Sequence, residues 1–196
     1  MNILILTNSF TPHVGGVARS VQAFAAEYRK RGHRVMIVSP EFPEMPMDEV
    51  DVVRIPAIQK FNASDFSVAL PIHPQLSDTV DAFRADIVHA QHPFLLGFTA
   101  LRLARHRGLP LVFTHHTLYE QYTHYVPGDS PALKRFAIEL ATRYANLCDQ
   151  VSCVQVAGVS GGENRNLCDV NRSGIASVDG EGTSGRCGCN CVVAHC

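Results

Sequence analysis

Short, uninterrupted apolar runs that alternate with segments of helical period constrain this chain more than any other feature. Residues 2 to 7 (NILILT) are apolar without alternation and stop at a turn, which marks a strand buried on both faces of a parallel sheet. Residues 34 to 39 (RVMIVS) repeat the pattern. Between them Val17, Val21, Phe24, Ala25 and Tyr28 recur at helical spacing, with Arg19, Glu27, Arg29 and Lys30 on the other side, so a helix is expected over 16 to 31, closed by Gly32. The runs "VDVVRIP", "ADIVHA" and "LPLVFTH" supply a third, fourth and fifth strand. Helices are expected over 74 to 84, and from Phe94 to Arg107 with Leu95, Phe98, Leu101 and Ala104 facing inward. A further helix opens on the N-cap and N1 pair Ser130-Pro131 and runs to about Leu147, with Leu133, Phe136, Ala137, Leu140 and Tyr144 on one stripe. Strands alternating with helices define an α/β fold: a doubly wound, mostly parallel, Rossmann-like sheet with right-handed crossovers.

With 196 residues the chain can bury one substantial core. A formal net charge of −1 argues against a nucleic-acid partner. The opening run Ile3 to Leu6 is followed at once by Thr7 and Asn8 and has no basic residue before it, so it reads as neither signal peptide nor membrane span, and a cytoplasmic location is expected. Cys148 stands alone in the first 150 residues, whereas Cys153, Cys168, Cys187, Cys189, Cys191 and Cys196 crowd the end. The thiol-poor body fits a reducing compartment. Beyond about Cys153 there is no aromatic residue, no lysine and no sustained period, so the division expected is a domain over 1–151 and an irregular, poorly structured Cys/Gly-rich tail over 152–196. The abruptness of that shift suggests a change of reading frame.

In an open α/β sheet ligands bind beyond the carboxyl ends of the strands. That directs attention to four loops, Asn8 to Gly16, Ser39 to Pro43, His89 to Pro93 and His115 to Gly128, which hold most of the histidines. Gly15 and Gly16 demand either an unusual backbone conformation or the close approach of something to bare backbone. The functional version is a phosphate at the positive end of the following helix; the bland one is a tight turn. A G-x-G-x-x-G fingerprint with an acidic residue closing the second strand is absent, as is a P-loop, which disfavours nicotinamide dinucleotides and P-loop chemistry. His89, Gln91 and His92 could hydrogen-bond sugar hydroxyls or a transferring group; otherwise His89 is a satisfied rim residue and His92 a helix cap. His115, His116, His124 and Glu120 lack the H-E-x-x-H spacing of a metal site, and Tyr119, Tyr122 and Tyr125 beside them suit the wall of a cleft. Cys187, Cys189 and Cys191 at alternate positions do not match a zinc knuckle. Lys134, Arg135 and Arg143 could touch an anionic membrane surface, although such a stripe is more often a solvated helix face.

Taken together, "SFTPHVGGVARSVQAFAAEYRKRGHRVMIVSP", "ADIVHAQHPFLLGFTALRLARHRGLPLVFTHHTLYEQYTHYVP" and "YANLCDQV" resemble the N-terminal half of a retaining glycosyltransferase of the GT-B fold, in the group that makes bacterial glycolipids and related glycoconjugates. The resemblance covers residues 1 to 151. It implies that Gly15 and Gly16 lie against the donor diphosphate or sugar, with their amides stabilising charge on the leaving group. It also implies that His89, Gln91 and His92 face the transferred sugar in the catalytic region. Many relatives carry a histidine at the position of Gln91, so hydrogen bonding to the sugar is the role implied there. His116, Tyr119, Glu120 and Tyr122 match the loop bordering the acceptor.

The function implied is the acceptor-side half of an enzyme that moves a hexose from a nucleotide diphosphate sugar to an acceptor hydroxyl. No cofactor or metal is expected, the nucleotide sugar being the donor substrate. Partners expected are that donor, a lipid or small-molecule acceptor, the missing C-terminal GT-B domain, and peripheral contact at the inner membrane face. The family's E-x₇-E carboxylate pair and nucleotide pocket have no counterpart in the tail, so this truncated chain is expected to be inactive alone. Two alternatives stay open: a non-catalytic nucleotide- or sugar-binding module, and another sugar enzyme of the same fold, such as a nucleotide-sugar epimerase.

Overall fold

The computed structural model describes residues 1–46, 48–59, 67–70, 76–116 and 130–153. Among them a six-stranded parallel sheet forms the centre. Its strands are β1 (Asn2–Leu6), β2 (Arg34–Pro40), β3 (Val52–Ile55), β6 (Ile87–Ala90), β7 (Leu111–His115) and β8 (Gln150–Cys153), in the order β3-β2-β1-β6-β7-β8. A small antiparallel pair, β4 (Ala57–Ile58) and β5 (Val68–Ala69), forms a second sheet, whose Ala69 joins the core of the first. The helices are α1 (Gly16–Lys30), α2 (Leu76–Phe83), α3 (Leu96–Arg107) and α4 (Pro131–Asn146).

The apolar run of β1 serves both faces of the sheet, as a continuous run must. Leu4 and Leu6 point to one side, where they join Val88 and Ala90 of β6, Leu111 and Phe113 of β7, and residues of α2, α3 and α4. Ile3 and Ile5 point to the other, where Val35 and Ile37 of β2 pack with Val21 and Ala25 of α1. Burying each such aliphatic side chain is worth about 1.5–3 kcal/mol. The sheet is held in one register because a slip by a single residue would exchange the two cores.

Helix ends follow their local signals. Ser130 accepts a hydrogen bond from the Leu133 amide at 3.2 Å and Pro131 occupies the first turn of α4, as expected. Gly32, at φ +80°, adopts a left-handed conformation just past α1. Two inward assignments change. In α3, which begins at Leu96, the buried stripe is Leu96, Thr99, Ala100, Leu103 and Ala104, while Phe98 is 48 % exposed. In α4, Ala141, Tyr144 and Ala145 are buried and Phe136 is 60 % exposed. Sequence periodicity fixes the spacing of such a stripe, and tertiary packing decides which way it faces.

Candidate functional site

Because every strand of the main sheet runs parallel, the carboxyl ends of β1, β6 and β7 finish on one rim, and the polar residues just beyond them meet there. Asn8 is the fastener. It is fully buried, and three of its polar groups reach from the β1–α1 turn to the β6–α3 turn. Its backbone N–H donates to His92 Nδ1 at 3.1 Å and its side-chain Nδ2 donates to the Phe94 carbonyl at 3.0 Å. Its Oδ1 accepts from the Leu96 amide, the first of α3, at 3.0 Å. Asn8 thereby caps α3 from a distant segment, which lets Leu95 occupy the N-cap position at φ +54°, a conformation that costs a leucine about 1–3 kcal/mol. His92 is therefore no helix cap, contrary to the bland reading above; it accepts the Asn8 N–H.

Gly97 explains the tightness of that corner. A Cβ there would sit 1.9 Å from the His92 carbonyl oxygen, so only glycine lets the first turn of α3 press against the His92 backbone. The Gly97 carbonyl in turn accepts a 2.8 Å hydrogen bond from the hydroxyl of Tyr144, a side chain buried edge-on against Phe113.

The three described histidines of the predicted site form a neutral group. His89 Nε2 lies 2.7 Å from Thr114 Oγ1, and burial, with a smaller push from His116, lowers its pKa to about 3. His92 is lowered to about 3 by the same two causes in the same order. His116 falls to about 4, again through burial and then through His115. Neutral His92 accepts at Nδ1, so its proton resides on Nε2. His116 Nε2 donates to Gln91 Oε1 at 2.6 Å, which places its own proton on Nε2. Gln91 is fully buried, and its Nε2 finds no hydrogen-bond partner among the described residues. Phe24 and Tyr28 of α1 flank the group, their rings 5.5 Å and 6.2 Å from His89.

The glycine pair lies at the start of α1 on the same rim. Gly15 is the N-cap with φ −163°, an extended conformation any residue adopts, and Gly16 is not among the left-handed glycines. The unusual-backbone explanation is thus excluded. A Cβ at Gly16 would meet no described atom within 4 Å, and one at Gly15 would meet only the His13 ring, at 3.3 Å. Among the described residues no side chain caps α1 and no acidic residue stands in its first turn. The helix start is left with open amides and positive dipole.

Tyr119, Glu120 and Tyr122, with the neighbouring Tyr125 and His124, lie outside the described residues, as does most of the cysteine-rich tail. Among the described residues no group of three or more His, Cys, Asp and Glu side chains is placed to hold a metal ion. None of the described helices is long and apolar enough to cross a membrane. Reasoning from sequence missed Asn8. The only hint was its place directly after an apolar strand, and its partners stand 84 to 88 residues away.

An open parallel sheet that concentrates its polar side chains beyond its central strands belongs to the doubly wound class of ligand-binding α/β domains. Comparison with known proteins narrows the class. The chain belongs to Glycosyltransferase Family 4, whose pattern matches residues 14–156. It is 31% identical over 127 residues to an alpha-monoglucosyldiacylglycerol synthase of Streptococcus pneumoniae, covering 64% of this chain and 29% of that protein. A synthase of the same description from Acholeplasma laidlawii is 32% identical over 149 residues, covering 74% of this chain and 36% of the relative. A GDP-mannose-dependent alpha-mannosyltransferase of Mycolicibacterium smegmatis is 32% identical over 123 residues, covering 60% and 32%. The chain thus spans about a third of the length of these relatives. A solved alpha-glucosyltransferase in complex with UDP aligns at 12% identity with a TM-score of 0.45, covering 79% of this chain and 35% of that one.

Proposed function

We propose that this chain is the acceptor-side half of a two-lobed glycosyltransferase that moves a hexose from a nucleotide diphosphate sugar to a hydroxyl, with retention of configuration. The observation that carries the proposal is the glycine pair. The backbone angles of neither glycine call for one, and although the His13 ring crowds a Cβ at Gly15, nothing described crowds one at Gly16, so the small size of Gly16 serves a group outside the described residues. An open, uncapped helix start favours an anion, and a diphosphate leaving group would meet the α1 amides as its charge develops.

The remaining rim residues have roles consistent with that reading. The neutral imidazoles of His89 and His92 are engaged with Thr114 and Asn8, which suits holding a sugar by hydrogen bonds more than taking up a proton at neutral pH. Gln91 Nε2 is a buried donor with an unused bond, and a sugar hydroxyl is a natural acceptor for it. The acceptor side belongs to His116 together with Tyr119, Glu120 and Tyr122. A lipid acceptor is favoured because two of the relatives similar in sequence are named as synthases of a glucosyldiacylglycerol. The same reading includes a cytoplasmic location and a peripheral contact with a membrane surface, with Lys134, Arg135 and Arg143 as its candidate residues, Arg143 being paired with Glu139 at 2.6 Å.

The test has two arms. The chain, labelled with ¹⁵N-glycine, is titrated with UDP, GDP and inorganic pyrophosphate, and the Gly15 and Gly16 resonances are expected to move while Gly32 and Gly108 stay. A radiolabelled-sugar assay with UDP-glucose or GDP-mannose and diacylglycerol lipid is expected to give no transfer with this chain alone. Robust turnover without a second lobe, or glycine resonances indifferent to every diphosphate, would overturn the proposal.

A further inference from the structure

The course of the loop that delivers Gly15 and Gly16 is fixed from outside the rim, by a charged side chain in an otherwise apolar strand. Arg54 of β3 is only 10% exposed and Glu49 13%. The guanidinium binds Glu49 with a two-pronged contact, Nε to Oε2 and Nη2 to Oε1, both at 2.6 Å. Its remaining donors go to the end of β2 and to the β1–α1 turn. Nη1 donates to the Pro40 carbonyl at 3.0 Å and reaches Ser39 Oγ at 3.3 Å, while Nη2 donates to the Thr11 carbonyl at 2.6 Å. The plane also lies 5.5 Å from the Phe10 ring and 6.0 Å from the Phe42 ring. Phe42 stacks on His13 at 5.8 Å, and the His13 ring is what stands nearest the missing Cβ of Gly15.

Burying an ion pair of this kind roughly breaks even, because desolvation cancels most of the attraction. What it delivers is geometry. A planar fork with five donors, all pointing at fixed acceptors, holds a carbonyl and two rings in one arrangement, which the flexible point charge of lysine cannot do. The contacts run without a break from Glu49 through Arg54 to the Thr11 carbonyl, and through Phe42 to His13 and Gly15.

We infer that Arg54, oriented by Glu49, is a positioning residue that sets the β1–α1 turn so that the Gly15 and Gly16 amides present themselves at the rim. Its importance for transfer rests on the proposed role of those amides, but the positioning itself does not, and the experiment separates the two. In ¹⁵N-glycine-labelled chain without ligand, Arg54→Lys is expected to displace or broaden the Gly15 and Gly16 resonances and leave Gly32, Gly97 and Gly108 in place. Glu49→Gln, which keeps the shape but loosens the fork, is expected to give a smaller displacement of the same two peaks. A destabilised but still folded variant with a merely structural defect would shift all five glycines or none.

Titration with UDP then reads the consequence, with the response of Gly15 expected at about tenfold higher concentration in Arg54→Lys. Gly15 and Gly16 resonances unchanged in both variants would overturn the inference. If both variants displace the pair while UDP leaves the wild-type resonances unmoved, the positioning role stands and the diphosphate site falls. Should Arg54→Lys fail to fold, the Glu49→Gln spectrum alone decides.

Discussion

Replacing Gly16 by alanine separates a glycine kept for the fold from one kept for a ligand. Gly16 is the first residue of α1, its φ lies outside the left-handed region, and an added Cβ would meet no described atom within 4 Å. Nothing in the native state opposes alanine, whereas the unfolded chain loses freedom. The substitution should therefore stabilise the protein, by about 0.4–1 kcal/mol. For a domain of this size that raises the melting temperature by about 1–4 °C. Urea and thermal unfolding followed by circular dichroism measure it. The same Cβ would stand where a phosphate must come within hydrogen-bonding reach of the amides, so the response of Gly15 to UDP should weaken about tenfold or more. A gain in stability paired with a loss of diphosphate binding is the expected signature. Gly16→Ala that unfolds more easily than wild type would mean the glycine is structural, and a stabilised variant that answers UDP normally would mean that no phosphate approaches it; either result refutes the reasoning.

Gly97→Ala should behave in the opposite way, because its Cβ would lie 1.9 Å from the His92 carbonyl oxygen; a loss of about 1–3 kcal/mol or more in urea unfolding is expected as α3 is pushed off the turn. Tyr144→Phe removes the donor to the Gly97 carbonyl and should cost about 1–3 kcal/mol by the same measurement, with little change in the far-ultraviolet spectrum. Stability should also fall with pH below neutrality. His89, His92 and His116 titrate near 3, 3 and 4 when folded but near 6.5 when unfolded, so between those values the unfolded chain binds more protons and unfolding is favoured as pH drops. Their contribution is intact above pH ~6.5 and declines toward pH ~3, and His89→Asn should flatten the slope of unfolding free energy against pH by close to one proton.

The legible part of the candidate site was its position. Parallel strands must end on one side, so the loops after the first, fourth and fifth runs could be assigned to one rim before any coordinate was known, and with them Gly15, Gly16, His89, Gln91, His92 and His116. The partners of those residues were not legible. His92 could be read as a cap for the helix that follows it, yet the cap is Asn8, and His92 accepts the Asn8 amide instead. Nothing in the run "VDVVRIP" singled out Arg54, which gathers Glu49, Pro40 and Thr11 around one guanidinium.

What the sequence by itself determined is everything that depends on neighbours within a turn or two of chain. Uninterrupted apolar runs made buried strands, period 3.6 made helices, Ser130-Pro131 began one helix and Gly32 ended another. Only the tertiary structure decided which side of each helix faces the sheet and which polar groups pair. In α3 the anchoring of Leu96 by Asn8 and the seating of Gly97 on His92 turn Thr99 and Ala100 inward and leave Phe98 half exposed, edge-on to Tyr144. Those contacts join residues more than 80 positions apart or depend on the absence of a side chain at one point of close approach, and neither leaves a periodic trace along the chain.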